Sequence, residues 1–388
     1  MDTHVKRAFK YRFCPTDAQA VELSRTFGCV RKVYNMALAA RTEAWTRQER
    51  VSYHQTSAML TAWKKTEELA YLNEVSSVPL QQARRHLQPA FTHFFGRRAR
   101  YPRFKSRKTS RKSAEYTSSA FRFRDGKLTL AKMTEPLAVV WSRPLPEGAK
   151  PSTVTVSQDA AGRWFVSLLC EDPSVQPLPA TGQAVGGDVG LEHLLTLSTG
   201  EKIANPRHER RDRAALAREQ CRLARKEKGS ANRARARLKV AKIHARTADR
   251  RRDGLHKLTT RLVRENQTVV IEDLTVRNMV KNRKLARAIS DAAGGEFPSM
   301  LEYKAAWYER EVIAVDRWFP SSRLCSACNT LRDTMPLHVR TWTCDCGVTH
   351  DRDVNAAHNL LAAGLAVTVC GAGVRPQRSA PDGQLATK

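Results

Sequence analysis

Two cysteine pairs near the C-terminus, Cys325-Ser-Ala-Cys328 and Cys344-Asp-Cys346-Gly347, constrain this chain more than any other feature. Four thiolates split by fifteen intervening residues suit tetrahedral Zn²⁺, and Gly347 lets the backbone turn beside the second pair. The Cys-x-Cys bite is one residue shorter than usual, which predicts a distorted second knuckle. Four thiolates leave no open coordination position, so the zinc is expected to be structural. The chain then runs at once into His350-Asp351-Arg352-Asp353-Val-Asn355-Ala-Ala, an acidic turn that opens a helix. A zinc knuckle fixes backbone, so an Asp a few residues later is held in place at a helix mouth.

The charge is equally unusual. The 388 residues carry 67 Lys+Arg against 38 Asp+Glu, a net of +29. Residues 207–252 hold 18 Lys/Arg and 5 Asp/Glu, and residues 97–112 hold 9 Lys/Arg with no acid, so the two stretches carry 22 of the 29 excess charges. Such clustering is the footprint of a nucleic-acid binder. The first stretch interleaves Arg97, Arg98, Arg100, Arg103, Lys105, Arg107 and Lys108 with Tyr101, Phe104 and Tyr116. Cations for phosphates and rings for bases suit single strands or structured RNA, against the blander reading of a solvated loop. In the second stretch Arg225, Lys226, Lys228, Arg233, Arg235 and Arg237 flank a Gly229-Ser230 break. Contacts there would be to backbone phosphates and salt-dependent. A membrane-surface role is disfavoured because the basic stretches lack a bulky apolar face.

No apolar run approaches the ~18 residues that span a bilayer, and the N-terminus has no signal-peptide core. Besides the four paired cysteines, five are scattered singly (Cys14, Cys29, Cys170, Cys221, Cys370). An odd count without a targeting segment points to a reducing cytoplasm and to metal rather than disulfides. Walker A, Gly-x-Gly-x-x-Gly, His-Glu-x-x-His and serine-elbow motifs are absent.

Periodicity predicts a multidomain α+β chain. Residues 4–14 alternate apolar and basic as a strand with one wet face; residues 18–95 read as helices. Strand signals return after the basic loop, with Asp125-Gly126 as a hairpin turn. This predicts a small antiparallel barrel or sandwich over residues 1–15 and 96–180, with the helical block 16–95 inserted. Pro173 to Pro179 reads as a linker. From Gln183 the order is three strands, a long basic helical hairpin, the strand Thr268-Val-Val-Ile-Glu272, a helix, a strand, the cysteine segment (about 320–350) and a final helix. The second arm of the hairpin, capped by Ser230, places Leu238, Ala241, Ala245, Ala248, Leu255, Leu258 and Leu262 on one seam. Residues after about Gly371 are expected to be disordered.

Three acids fall at element ends: Asp188 in the first strand of this half, Glu272 closing the fourth, and Asp353 at the last helix mouth. A ribonuclease H-like order brings those ends together. Hard carboxylate oxygens suit Mg²⁺, with Mn²⁺ able to stand in, and two such ions ~4 Å apart suit phosphodiester hydrolysis. Singly, Asp188 also reads as a turn residue, Glu272-Asp273 as a surface loop, and Asp353 as a helix cap in competition with Asp351. The joint pattern favours the metal reading, with Asp273 and Asp351 as support.

These residues resemble TnpB, the transposon-encoded RNA-guided nucleases related to type V CRISPR effectors. The resemblance runs over almost the whole chain: Lys6-Arg-Ala-Phe-Lys-Tyr-Arg-Phe13…Pro15, Gly28-Cys-Val-Arg31-x-Val-Tyr34-Asn35, Tyr101-Pro-Arg-Phe104-Lys, Gly187-Asp188-Val-Gly190-Leu, Leu255-His-Lys-Leu-Thr-Thr, Glu272-Asp-Leu, Phe319-Pro-Ser-Ser, and Cys346-Gly-x-x-His-Asp-Arg-Asp353-x-Asn-Ala-Ala. It implies a wedge-like β-barrel (1–15 and 96–180), a helical recognition lobe (16–95), and a RuvC-like nuclease domain (181–370) with a zinc-binding insert. It also implies a guide RNA made from the transposon end, double-stranded target DNA, a short adjacent motif, and catalysis by Asp188, Glu272 and Asp353 with Mg²⁺. The chain departs from the pattern at the Cys-x-Cys pair and near Gly294, where a Trp is expected. Neither departure removes a carboxylate. The rival expectations are an RNA-guided binder that does not cut and a transposase or resolvase that works without RNA.

Overall fold

The computed structural model describes residues 5–292, 295–336 and 338–370. The chain divides into two compact units, one ending at Ser174 and one beginning at Val175.

The first unit opens with β1 (Val5–Cys14), then α1 (Asp17–Thr46), α2 (Tyr53–Trp63), a 3₁₀ turn and α3 (Ser77–Phe95). The strands β2 (Lys112–Thr117), β3 (Phe121–Arg124), β4 (Lys127–Leu130), β5 (Ala138–Val140), β6 (Thr153–Gln158) and β7 (Trp164–Asp172) follow. In β1 the rings of Phe9, Tyr11 and Phe13 point inward while Lys10 and Arg12 face solvent, as the alternation predicts. Thr16 and Gln19 close a capping box that starts α1. The strands form an antiparallel sheet in the order β2-β6-β7-β1-β5, so β1 returns to pair with β7 from Val5↔Asp172 to Phe13↔Trp164. The hairpin β3–β4 turns at Asp125 and Gly126, both at positive φ. The sheet has open edges at β2 and β5 among the described residues, rather than a ladder closed into a barrel. Its core joins Phe9, Tyr11 and Phe13 to Val154, Val156, Val166 and Leu168, and Leu23 and Phe27 of α1 extend it. A separate helical core gathers Val33, Leu38, Leu72, Leu80 and Leu87.

The second unit contains β8 (Ala184–Asp188), β9 (His193–Leu197), β10 (Lys202–Ala204), α4 (His208–Ala224), α5 (Ala231–Glu265) and β11 (Thr268–Glu272). Two short helices follow, α6 (Val276–Met279) and α7 (Ala286–Ala292), where periodicity gives no signal. Next come α8 (Glu296–Tyr308), β12 (Glu311–Val315), the small hairpin β13 (Thr341–Thr343) and β14 (Thr349–Asp351), and α9 (Arg352–Cys370). The sheet order is β10-β9-β8-β11-β12, with β8, β11 and β12 parallel. The four apolar or β-branched residues of β11 before Glu272 are all buried, which fits a strand covered on both faces. Val269 and Ile271 face α5 and α8 in one core, and Val270 faces α9 in another.

Ser230 caps α5 by accepting from Arg233 N. The seam of α5 holds for Leu255, Leu258 and Leu262, but Leu238 and Ala248 are exposed. Before its middle the helix lies away from the sheet, and Thr247 and Arg250 hold Asp212 of α4 instead of packing apolar surface. The end of the expected linker belongs to this unit, since Arg310 donates to the carbonyls of Leu178 and Pro179. The expected disordered tail (371–388) and the missing Trp near Gly294 lie outside the described residues.

What sets α9 against the sheet is the lack of side chains at two contacts. A Cβ at Gly186 would lie 2.1 Å from the Ala357 carbonyl oxygen, and one at Gly364 would lie 2.5 Å from Val270 Cγ1. The first obstacle is helix backbone, which cannot swing aside. Gly186→Ala is therefore expected to cost about 1–3 kcal/mol through overpacking, read as a fall of several degrees in Tm. Gly182→Ala, whose Cβ meets nothing within 4 Å, serves as the control and should leave Tm unchanged.

Candidate functional site

The last hydrogen-bonded register between β8 and β11 pairs Gly187 with Ile271, so Asp188 and Glu272 stand next, side by side, on strands ~4.8 Å apart. The close seat of α9 on β8 and β11 brings its first turn, with Asp353, to the same sheet edge. All three acids are half-buried. Burial first, then the charges of Asp353 and Glu272, push the Asp188 carboxyl up to about 7, against smaller opposing pulls from Arg352 and Arg340. The three carboxylates thus share one field. Burial and the neighbouring Asp273 also raise Glu272.

The remaining acids nearby are neutralised. Asp273 pairs with Arg317 at 2.6 Å. Asp351 pairs with Lys202 at 2.6 Å and accepts from the backbone N–H groups of Asp353 and Val354, so it is the residue that caps α9. Its pKa is lowered: burial, which opposes this, is outweighed by Lys202 and those N–H groups. Arg340 spans Glu192 (3.1 Å) and Asp353 (3.4 Å). Among the described residues no side-chain hydrogen bond or ion pair engages Asp188 or Glu272. A desolvated carboxylate beside two others, without a protein cation of its own, is a fit for a hard divalent ion. Among the described residues the four thiols reach metal-ligand spacing and the three carboxylates stand wider apart.

The sulfurs of Cys325, Cys328, Cys344 and Cys346 all lie within 4.8 Å of one another. Cys325–Cys346 is 3.8 Å and Cys328–Cys344 is 3.6 Å, against ~3.8 Å for the edge of a tetrahedron with ~2.3 Å Zn–S bonds. The short bite is accommodated by a turn in which Gly347 (φ +88°) donates to the Cys344 carbonyl and Cys344 donates to Val348. His350 Nε2 lies 3.1 Å from Cys325 Sγ, placed to hydrogen-bond a thiolate. Two buried amides then lock this knuckle to α9. Asn355 accepts from Ser326 N and donates to the Leu324 carbonyl; Asn359 donates to the carbonyls of Ser321 and Leu324. Asp353 is held two residues from Asn355.

Of the expected nucleic-acid residues, Arg97, Arg98, Arg100, Arg103, Arg107 and Lys108 are exposed, as are Arg225, Lys226, Lys228, Arg235 and Arg237. Phe104 is 60% exposed. Four others are engaged within the fold. Lys105 lies over the Tyr34 ring at 3.8 Å while its backbone is held by Asn35. Tyr101 packs edge-on against Phe91 and Phe94 and bonds Thr42. Arg233 donates to the carbonyls of Leu223 and Lys226, closing the end of α4. Tyr116, expected as a stacking ring, is a buried core residue of β2. Its strand alternation, rather than its neighbourhood of arginines, decides its direction.

Residues 166–283 match a family described as a probable transposase, residues 295–360 a Cas12f1-like TNB domain, and residues 1–50 a helix-turn-helix domain. A putative RNA-guided DNA endonuclease of Streptomyces pristinaespiralis is 71% identical over 97% of this chain and 94% of its own length. The putative RNA-guided DNA endonuclease InsQ of Escherichia coli K12 is 33% identical over 96% of each chain. The chain belongs to the TnpB family. A Cas12f1 from a complex with single-guide RNA and target DNA shares the fold at a TM-score of 0.57 and 13% identity, covering 92% of this chain and 98% of that one. In this TnpB-family chain the residues matched as helix-turn-helix form one strand and a single 30-residue helix.

Sequence reasoning did not single out Arg340, Lys202, Arg317 or the amides of Asn355 and Asn359. The Asn355-x-x-x-Asn359 spacing, one helical turn facing the knuckle, was the available signal; the cation partners come from distant segments and carry none.

Two outcomes follow from these geometries. Purified protein should contain about one zinc per chain by metal analysis, and Cys344→Ser should lose it together with several degrees of Tm; full-length protein that folds with no zinc would contradict the site. Because the folded Asp188 pKa is raised, its stabilising protonated form is complete below the ordinary carboxylate range and is lost as pH rises through about 7. Without added divalent ions, Tm should fall between pH 5 and 8 more steeply in the wild type than in Asp188→Asn. Equal slopes would refute the coupling.

Proposed function

We propose that this protein is an RNA-guided DNA endonuclease that hydrolyses phosphodiesters with Asp188, Glu272 and Asp353 as catalytic carboxylates. The observation that supports the reading is that burial and the charges of Asp353 and Glu272 raise Asp188 to about 7, with no side-chain ion pair to Asp188 among the described residues. The names of the relatives and the shared fold of the Cas12f1 support the guided activity. The partners are a guide RNA derived from the transposon end and double-stranded target DNA beside a short motif. In this reading the sheet of the first unit is the wedge and α1–α3 the recognition lobe.

Asp188 and Glu272 present oxygens from the rigid ends of adjacent parallel strands, and Asp353 does so from the mouth of α9. When bound, Mg²⁺ (or Mn²⁺) at these oxygens lowers the pKa of water and stabilises the leaving oxygen. The chain supplies orientation: Asn355 and Asn359 fix α9 against the thiol knuckle, and Asp351 with Lys202 caps it. A cation at this site would offset the like charges around Asp188 and favour its ionised form. Zinc on the four thiolates is structural. The exposed cations at 97–108 and 225–237 take RNA and DNA backbones, so affinity falls steeply with salt.

The test is cleavage by protein purified with the RNA it carries. A discrete co-purifying RNA should direct cutting to its complement, and Asp188→Ala should abolish cutting by at least ~10³-fold while sparing binding. Cutting that needs no RNA would favour a transposase or resolvase, and guided binding without cutting a silent regulator.

A further inference from the structure

Trp318 is 84% exposed, more than any other large apolar side chain among the described residues. It stands three residues beyond Val315, the end of β12, which pairs in register with Glu272. The ring is not on a loose loop. Trp318 N–H donates to Asp316 Oδ1 at 2.9 Å and Phe319 N–H to the Asp316 carbonyl at 3.0 Å, while Phe319 packs into the core beneath β12. Its neighbour Arg317 reaches across to the β11 exit, holding Asp273 at 2.6 Å and the Thr275 hydroxyl. The exits of β11 and β12 are thus bolted together, with an indole projecting from the edge that carries the carboxylates. The segment that leaves this bolt holds Arg277, Lys281, Arg283 and Lys284, all exposed and with no acid among residues 274–290. A rigid exposed ring beside a basic strip matches the single-stranded nucleic-acid recipe of stacking platform and phosphate track.

We propose that Trp318 is a positioning platform for the DNA strand being cut, stacking on a base of single-stranded DNA next to the scissile phosphate while the strip from Arg277 to Lys284 takes phosphates. The inference rests on the endonuclease reading and adds which side chain orients the substrate strand. Stacking worth ~1–3 kcal/mol per base corresponds to about a 5- to 150-fold loss.

The test uses the RNA-loaded full chain and target strands carrying one abasic nucleotide at each position around the cut. Trp318→Ala should lower the cleavage rate constant about 5- to 150-fold with Tm unchanged, and Trp318→Phe should recover most of it. For the wild type, one abasic position should slow cutting by a similar factor, and that sensitivity should vanish in Trp318→Ala. If the variant cuts normally, or keeps the same abasic profile, the platform is refuted while the endonuclease reading stands. If the wild type cuts nothing, the endonuclease reading fails on its own. A single-stranded oligonucleotide carrying 5-iododeoxyuridine then decides the platform: crosslinking that Trp318→Ala abolishes upholds it, and crosslinking that persists refutes it.

Discussion

The seat of α9 on the parallel strands is the contact on which the second unit depends. Two glycines make it possible, Gly186 on the strand side and Gly364 on the helix side, because each leaves room where a methyl group would collide with backbone or with Val270. One helix thereby touches three things at once. Its body completes the core over Val270 and Ile313, its first turn carries Asp353 to the strand ends, and its Asn355 and Asn359 grip the thiol knuckle. Thiol knuckle, core and carboxylates are not independent modules, since each is referred to the same helix axis.

The charge arrangement around that edge is selective. Asp273, Asp351 and Glu192 each have an Arg or Lys within 3.1 Å, yet among the described residues Asp188 and Glu272 have none. In a chain with 67 Lys+Arg, a cation could readily have been placed beside them. Leaving two desolvated carboxylates uncompensated works against stability, and a fold tolerates such a conflict where the site needs it. The contact at Asp353 is intermediate: its Arg340 lies at 3.4 Å and is shared with Glu192. Strong pairs therefore belong to the scaffold, and the acids without one are those proposed to hold the metal.

Much of this was legible in the sequence because it is written in local patterns. Alternation in β1, the Asp125-Gly126 turn, the apolar run before Glu272 and the cysteine spacing each declare their element within about ten residues. The three acids were readable because each sits where a strand or helix ends. What was not legible depends on partners far away in sequence. The helices at 276–292 are short and held by tertiary contacts, such as Asp291 accepting from Glu209 N and from Arg251, so no periodicity announces them. Leu238 and Ala248 lie on a helical seam, but whether a seam is covered depends on how far the sheet extends beneath it. Tyr116 shows the same limit, since a basic neighbourhood in sequence did not place it on a basic surface.

The excess positive charge follows a related division. Arg233, Arg310 and Lys105 use their charge inward, on helix-end carbonyls, a linker and an aromatic ring. Cations so engaged have exchanged water for fixed partners and contribute to the fold. Other exposed cations crowd the α4–α5 hairpin and the loop after α3, some of them paired with nearby acids as Arg213 is with Glu209 and Arg222 with Glu219, and like charges so crowded disfavour the compact state. In the proposed function that repulsion would be relieved as phosphates arrive and counterions leave, so the same residues that weaken the free chain would strengthen a bound one. The outer half of α5, where the apolar seam gives out and arginines line both sides, is where the balance lies furthest toward a polyanion. On the proposed function its stability and its affinity for nucleic acid would be two readings of one electrostatic quantity, both set by salt.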